Sequence, residues 1–259
     1  SIGQKVPSVE VKIENPDEIL LTPDEIKELN QEIINEPNTD VYDVTTLDDN
    51  IEKTQKEYTE ELSNNEIPTR ALYIDGEIID NEEYFLNINN AIKQTGYHGD
   101  EKKVYYALAV ERADMKEIPT NDVIGYNATD PDDEMELTVL NVNEPFVIFG
   151  KCEVNEELFY WGYSNTYKGW VDGKKLAIVD DKNKWIEAWK VARDGKDFIV
   201  VTNDKIILEV SLTEPQTSEV KLTMGTILKL VPASEIPQTI GERGTYNNYV
   251  VYLPTRNEE

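Results

Sequence analysis

One cysteine and one histidine stand in this sequence, so a Cys–His pair is the first chemistry to test. A thiol attacks as the thiolate, which a nearby base or a helix N-terminus must favour. Cys152 lies in Gly150-Lys151-Cys152-Glu153 between predicted strands, without the strand-to-helix setting of a nucleophile. His98 lies in Gly96-Tyr97-His98-Gly99, a predicted loop outside that β region. Cys152 therefore reads as a small packing or surface residue and His98 as a loop residue. A zinc site needs about four Cys, His or carboxylate ligands, and neither a second histidine nor a cysteine pair is present. The lone cysteine also excludes an intramolecular disulfide.

Asp and Glu number 52, so some acid/base pair is always arithmetically available and the count carries no information. Asp130, Asp132, Asp133, Glu134 and Glu136 could in principle surround calcium. Their order and the missing glycine do not match an EF-hand loop, and the segment reads as a solvated acidic loop. No phosphate-cradling glycine pattern occurs. The expectation is a chain with no catalytic set, metal or cofactor.

Aromatic residues are more informative. Phe159-Tyr160-Trp161-Gly162-Tyr163 leads through Ser164-Asn165-Thr166 into Tyr167-Lys168-Gly169-Trp170-Val171. In a strand Phe159, Trp161 and Tyr163 share one face and Tyr160 takes the other. One face fills a core, and the other could stack on a ligand or a peptide. The net charge of -27 disfavours nucleic acid, which needs clustered Lys and Arg, and an anionic membrane surface. No run approaches 18 apolar residues, so no transmembrane segment is expected, and no signal peptide is visible after Ser1.

The elements that must position these residues change character along the chain. Residues 1–18 read as a flexible lead-in. Thr22-Pro23-Asp24-Glu25 opens a helix carrying Ile26, Leu29 and Ile33 on one face and ending at Pro37-Asn38. A second helix is expected over 47–62, with Ile51, Tyr58 and Leu62 as its stripe. Residues 71–74 and 77–79 flank Asp75-Gly76, a hairpin signal. A third helix is expected over 81–94, with Tyr84, Phe85, Ile88 and Ile92 inward and Gly96 at its end. From Val104 the pattern turns to short strands, at 104–110, 137–142, 146–149, 158–163 and 168–171. A connector with Trp185 and Trp189 leads to a second β block. There 198–202 turns at Asn203-Asp204 into 205–210, followed by strands at 226–231 and 246–253. The fold class is α+β: a helical N-terminal domain at 19–103, then two small β-barrels at 104–182 and 190–254.

Three segments carry a family resemblance: Glu111-Arg112-Ala113-Asp114-Met115-Lys116-Glu117-Ile118-Pro119-Thr120, Met135-Glu136-Leu137-Thr138 and Tyr167-Lys168-Gly169-Trp170-Val171. They resemble a bacterial SH3 domain, more narrowly the first of two SH3-like domains preceding the catalytic domain of NlpC-type cell-wall cysteine peptidases. Leu20 to Ile26, Leu29-Asn30 and Tyr42-Asp43-Val44-Thr45 resemble the helical stabilising domain of such proteins, and the segment from about Trp189 to Pro254 would be the second SH3-like domain. The R-x-D-M-K-x-x-P-T run is moderately specific, and G-W-V alone is weak.

Family members cleave the γ-D-glutamyl bond to a diamino acid in peptidoglycan stem peptides, with the cysteine in a D-C-S-G-like motif and a histidine downstream. Here Lys151 precedes Cys152, and His98 comes before it. The resemblance therefore implies the accessory part of such a peptidase, or a relative that has lost the peptidase domain, and not an active enzyme. By the same resemblance Arg112 and Asp114 are candidate contacts to a stem peptide or to the peptidase domain. Arg112 would pair with a carboxylate and Asp114 with a free amine. Tyr163 and Trp170 are weaker ligand-binding candidates. An extracellular or cell-wall location follows from the resemblance alone. The rival expectation is a secreted scaffold or adhesion protein using the barrels for protein partners. Since bacterial walls often carry anionic polymers, contacts should be local hydrogen bonds and stacking, and added salt should leave affinity unchanged or raise it.

Overall fold

The computed structural model describes residues 19–36, 39–129, 132–192 and 195–256. The lead-in expected over 1–18, the helix end at Pro37-Asn38, and Asp130 of the acidic loop lie outside them. Among the described residues no helix is long and apolar enough to cross a membrane. The chain divides into two compact units at Thr39. In the first, helix α1 (Pro23–Asn35) starts from a reciprocal cap: Thr22 Oγ1 accepts from the Glu25 N–H, and the Glu25 carboxylate accepts from the Thr22 N–H at 2.7 Å. That is the cap expected from Thr22-Pro23-Asp24-Glu25.

The second unit begins at Asp40. The helix expected over 47–62 is broken. A 3-10 turn covers Leu47–Asn50, Ile51 is extended, and helix α2 is Gln55–Leu62. The cause is a second capping box, in which Thr54 and Glu57 exchange hydrogen bonds and fix a fresh helix start. Strands β1 (Tyr73–Ile74) and β2 (Glu77–Ile78) form the expected hairpin, with φ of 50° at Asp75 and 84° at Gly76. Helix α3 (Asn81–Thr95) is capped by Asp80 and buries Phe85, Ile88 and Ile92.

The β region that follows contains β3 (Tyr105–Ala109), β4 (Ala113–Lys116), β5 (Ile124–Gly125), β6 (Glu136–Leu140), β7 (Pro145–Val154), β8 (Glu157–Tyr163), β9 (Lys168–Asp172) and β10 (Leu176–Val179). Strand β5 pairs with β1. The other seven form one antiparallel sheet in the order β10-β3-β7-β8-β9-β4-β6. Among the described residues its ladder ends at β10 on one side and β6 on the other. Leu176 of β10 and Leu140 of β6 nevertheless enter the same core as Ala107, Met115, Phe146, Ile148 and Val171. The sheet thus curls until its two edges share one interior.

The outer face carries the helices. Cys152, Val154, Phe159 and Trp170 pack with Phe85, Ile88 and Ile92 of α3. Val147 and Phe149 join a second outer cluster, separated from Cys152 by a register irregularity between Ile148 and Gly150 of β7. Two glycines make the curl possible. A Cβ on Gly162 would collide with the Val147 carbonyl, and one on Gly169 would sit 2.7 Å from the Lys116 carbonyl. The G-W-V element therefore reads as close strand approach at Gly169 followed by a core tryptophan.

The Trp185–Trp189 connector is a helix, α4 (Lys182–Trp189), capped by Asp181. Trp185 is fully buried against β3, and its indole N–H donates to the Ala107 carbonyl at 2.8 Å. Asp48 anchors the 3-10 turn by accepting from Lys182 and from the Tyr106 hydroxyl.

The second β region contains β11 (Phe198–Val200), β12 (Lys205–Ile207), β13 (Lys221–Thr223), β14 (Ile227–Lys229), β15 (Thr239–Ile240) and β16 (Arg243–Gly244). The expected pairing across Asn203-Asp204 does not form: β11 pairs with β14, and β12 with β13. Backbone bonds from Met224 N–H to the Asp204 carbonyl and from Gly225 N–H to the Val201 carbonyl hold both strands to that turn instead. The strand expected over 246–253 supplies one bridge, Leu230 to Val251. Val201, Leu222 and Leu228 form a small core that Val142, from the first β region, completes. The class is α+β, as the sequence predicts.

Candidate functional site

Arg112 and Asp114 stand two residues apart at the start of β4, so their side chains leave the same face of the strand. Ala113 and Met115, between and after them, point into the sheet core. Both charged residues line a cleft of about 620 Å³. Its other walls come from Lys175 beside β10, residues 218–221 leading into β13, and Thr255-Arg256. Four cations (Arg112, Lys175, Lys221, Arg256) and three acids (Glu111, Asp114, Glu219) border it. The Arg256 guanidinium donates to the Lys174 carbonyl at 3.1 Å. The five ion pairs among the described residues involve none of these seven side chains. In a chain of net charge -27, a cleft with four cations and three acids departs locally from the overall sign.

The acidic flank has its own electrostatics. The Glu136 carboxyl at the start of β6 is raised by partial burial first, then by repulsion from Asp114 and Asp133, with Arg112 opposing the rise. Arg112 thus stabilises negative charge on this edge, and an amine brought to Asp114 would do the same.

Behind the cleft, the rest of the R-x-D-M-K-x-x-P-T run is structural. Lys116 is 7% exposed and pairs at 2.6 Å with Asp133, itself 9% exposed. The ammonium also donates to the Asp122 carbonyl at 2.8 Å, and Asp133 Oδ1 accepts from the Ile124 and Met135 N–H groups. The solvated-loop reading fails at Asp133: this carboxylate is buried because three donors satisfy it, the Lys116 ammonium and the Ile124 and Met135 N–H groups. Thr120 is buried and shares a hydrogen bond of 2.8 Å with the Tyr84 hydroxyl, which donates to Asp122 at 2.7 Å. The loop following β4 is thereby fastened to α3, which holds β4 in place.

Tyr163 and Trp170 lie elsewhere. Trp170 is 2% exposed and packs in the core under α3, so its indole offers no face to a ligand. Tyr163 belongs to an edge-to-face aromatic cluster, with ring centroids 4.9 Å from Tyr42, 5.0 Å from Phe149 and 5.4 Å from Trp161. Burial pushes its hydroxyl pKa up. Neither residue lines the Arg112–Asp114 cleft.

Cys152 is fully buried against α3, and burial, reinforced by Glu153, pushes its thiol up and away from the thiolate. The His98 ring lies 3.3 Å from the Gln94 carbonyl, at the surface groove beside α2. The two residues do not meet. Among the described residues no three His, Cys, Asp or Glu side chains gather as a metal site.

Neither a protein-family profile nor a curated protein matches the chain. Among solved structures it is similar to an NlpC/P60 endopeptidase from Photobacterium damselae subsp. piscicida, with TM-score 0.52 and 14% sequence identity. The likeness covers 92% of this chain and 52% of that one, so the chain spans about half the length of the structure it matches. At this identity the shared property is the fold.

Proposed function

We propose that this chain is the recognition and positioning part of an NlpC-type cell-wall peptidase, with bond cleavage assigned to a separate peptidase domain. The curled sheet at 104–182 reads as the first SH3-like module and 190–254 as the second, with the helical segment 19–103 as the stabilising part. The observation that carries the proposal is the convergence of Arg112 and Asp114 on one cleft bordered by otherwise unpaired cations. A peptidoglycan stem peptide offers the matching chemistry, carboxylates for Arg112 and its cationic neighbours and a free amine for Asp114. The fold likeness to an NlpC/P60 endopeptidase supports the reading. A site at the cell surface or in the wall follows from the proposed ligand.

Binding of L-Ala-γ-D-Glu-diamino-acid peptides, measured by calorimetry, tests it. Arg112→Ala should weaken binding about tenfold, or roughly 1.4 kcal/mol, with unfolding unchanged because the side chain is exposed. Whole peptidoglycan should bind as well or better when salt is added, since the chain's net charge repels anionic wall polymers. Absence of stem-peptide binding, or an Arg112→Ala variant that binds as the parent does, would overturn the assignment.

A further inference from the structure

A second cavity, of about 390 Å³, opens where the two β regions meet. It is separate from the Arg112 cleft and shares no lining residue with it. Its size falls within the range of about 300–1,000 Å³ usual for small-molecule sites. The floor is the turn between β6 and β7, one wall is the end of α4, and the other is the start of β14.

Its chemistry is amphipathic. Trp189 lines it, with its ring held edge-to-face against the buried Trp185 at 5.6 Å. Its indole N–H is buried and has no acceptor among the described residues. Glu144 lines the same space and takes a hydrogen bond of 3.1 Å from the Asn141 amide, but makes no ion pair. Burial raises its carboxyl pKa, and the Asn141 contacts offset that only in part. Such a carboxyl favours neutral hydrogen-bond donors, because they satisfy it without a second buried charge. Asn143 spends both amide hydrogens on the carbonyls of Ala188 and Ile227, and its side-chain oxygen takes no hydrogen bond among the described residues. Asn165 and Thr166 add polar groups at the mouth.

We propose that this cavity binds an acetamido sugar ring, an N-acetylhexosamine unit, seated with its C–H face against the Trp189 indole. The ring hydroxyls and the amide N–H are the neutral donors that Glu144 and the Asn143 carbonyl call for. Apolar wall from Val142 and Ile227 receives the acetamido methyl. The site stands independently of the stem-peptide cleft.

Titrating the full chain with N,N′-diacetylchitobiose while recording amide NMR spectra tests it. Saturable shifts should map to Asn143, Glu144, Asn165, Thr166 and Ile227. Cellobiose, which lacks the acetamido group, should bind at least about tenfold more weakly. Glu144→Ala should lose about tenfold in affinity, whereas Arg112→Ala in the other cleft should lose none. Absence of shifts, shifts mapping elsewhere, or an equal response to cellobiose would overturn the proposal. So would unaltered affinity in a folded Glu144→Ala chain. The mapping uses the unaltered protein, so the result does not depend on whether that variant folds.

Discussion

The two β regions use similar short strands and reach different degrees of completeness. The first builds an interior of its own: seven strands curl around Ala107, Met115, Phe146 and Ile148, and helices cover the outside. The second has two- and three-residue strands in separate pairs and borrows Val142 to finish its core. Isolated two-stranded pairs are marginal in water. The second region is therefore held in shape by docking on the turn between β6 and β7. There the Asn143 amide, at φ 69°, reaches the Ile227 carbonyl, and the Thr223 hydroxyl donates to Asn141 at 2.6 Å. Both clefts lie along this contact, so the dependence of the second region on the first fixes the positions of their walls.

The sharpest way to break the contrast is at the buried ion pair of the first region. Lys116→Ala leaves the Asp133 carboxylate buried without its countercharge and should cost about 3–5 kcal/mol of unfolding free energy. Replacing both residues together, Lys116→Met with Asp133→Leu, should recover only part of that loss: no charge is stranded, but the Ile124 and Met135 N–H groups lose their acceptor. Urea unfolding followed by tryptophan fluorescence reads both effects. A small loss in Lys116→Ala would mean that water reaches the pair and that the first region is looser than its packing indicates.

Val142 sharpens the comparison at its joint. Val142→Ala removes buried methyls from the second core and should cost about 1–3 kcal/mol, including the cavity left behind. The loss should appear locally. Amide exchange at Ile199, Val201 and Leu228 should accelerate, while Ala107 and Phe146 keep their protection. Equal acceleration in both regions would show one cooperative unit with no weaker half.

How far the sequence reveals this arrangement depends on the range of the interactions. Helix α3 is legible because Asp80 and the Tyr84, Phe85, Ile88, Ile92 stripe lie within one segment. The break before α2 is legible in principle, from Thr54 and Glu57, but the apolar stripe from Ile51 to Leu62 masks it. Helix α4 is missed because its eight residues carry too short a period to separate from a connector. Asp133 reads as part of a solvated loop, since such residues are rarely buried unless paired, and nothing local announces Lys116 as a partner 17 positions away. Of the cleft, Arg112 and Asp114 enter only through the family resemblance of the run that holds them. Lys175, Lys221 and Arg256 arrive from separate connections, which only the folded chain brings together.

The smallest expected effect concerns a surface carboxylate of the second region. Glu242, between β15 and β16, accepts from the Leu212 N–H at 2.9 Å, from the Ser211 hydroxyl at 3.0 Å and from the Thr213 hydroxyl. These bonds, the Thr213 hydroxyl foremost, favour its charged form and bring its pKa down to about 2 from the ordinary 4.5. A carboxyl with a lower pKa folded than unfolded stabilises the fold above the unfolded value. That contribution is complete above about pH 4.5 and fades as pH falls toward 2. Amide shifts of Leu212 and Thr213 should therefore titrate near the low end of that window, and Glu242→Gln should abolish the inflection. Amides of the first-region core should be unmoved by the substitution, since no bond of Glu242 reaches them. A midpoint near 4.5 would mean that the three bonds do not persist in solution, leaving the β15–β16 hairpin without this tie to the 211–213 segment.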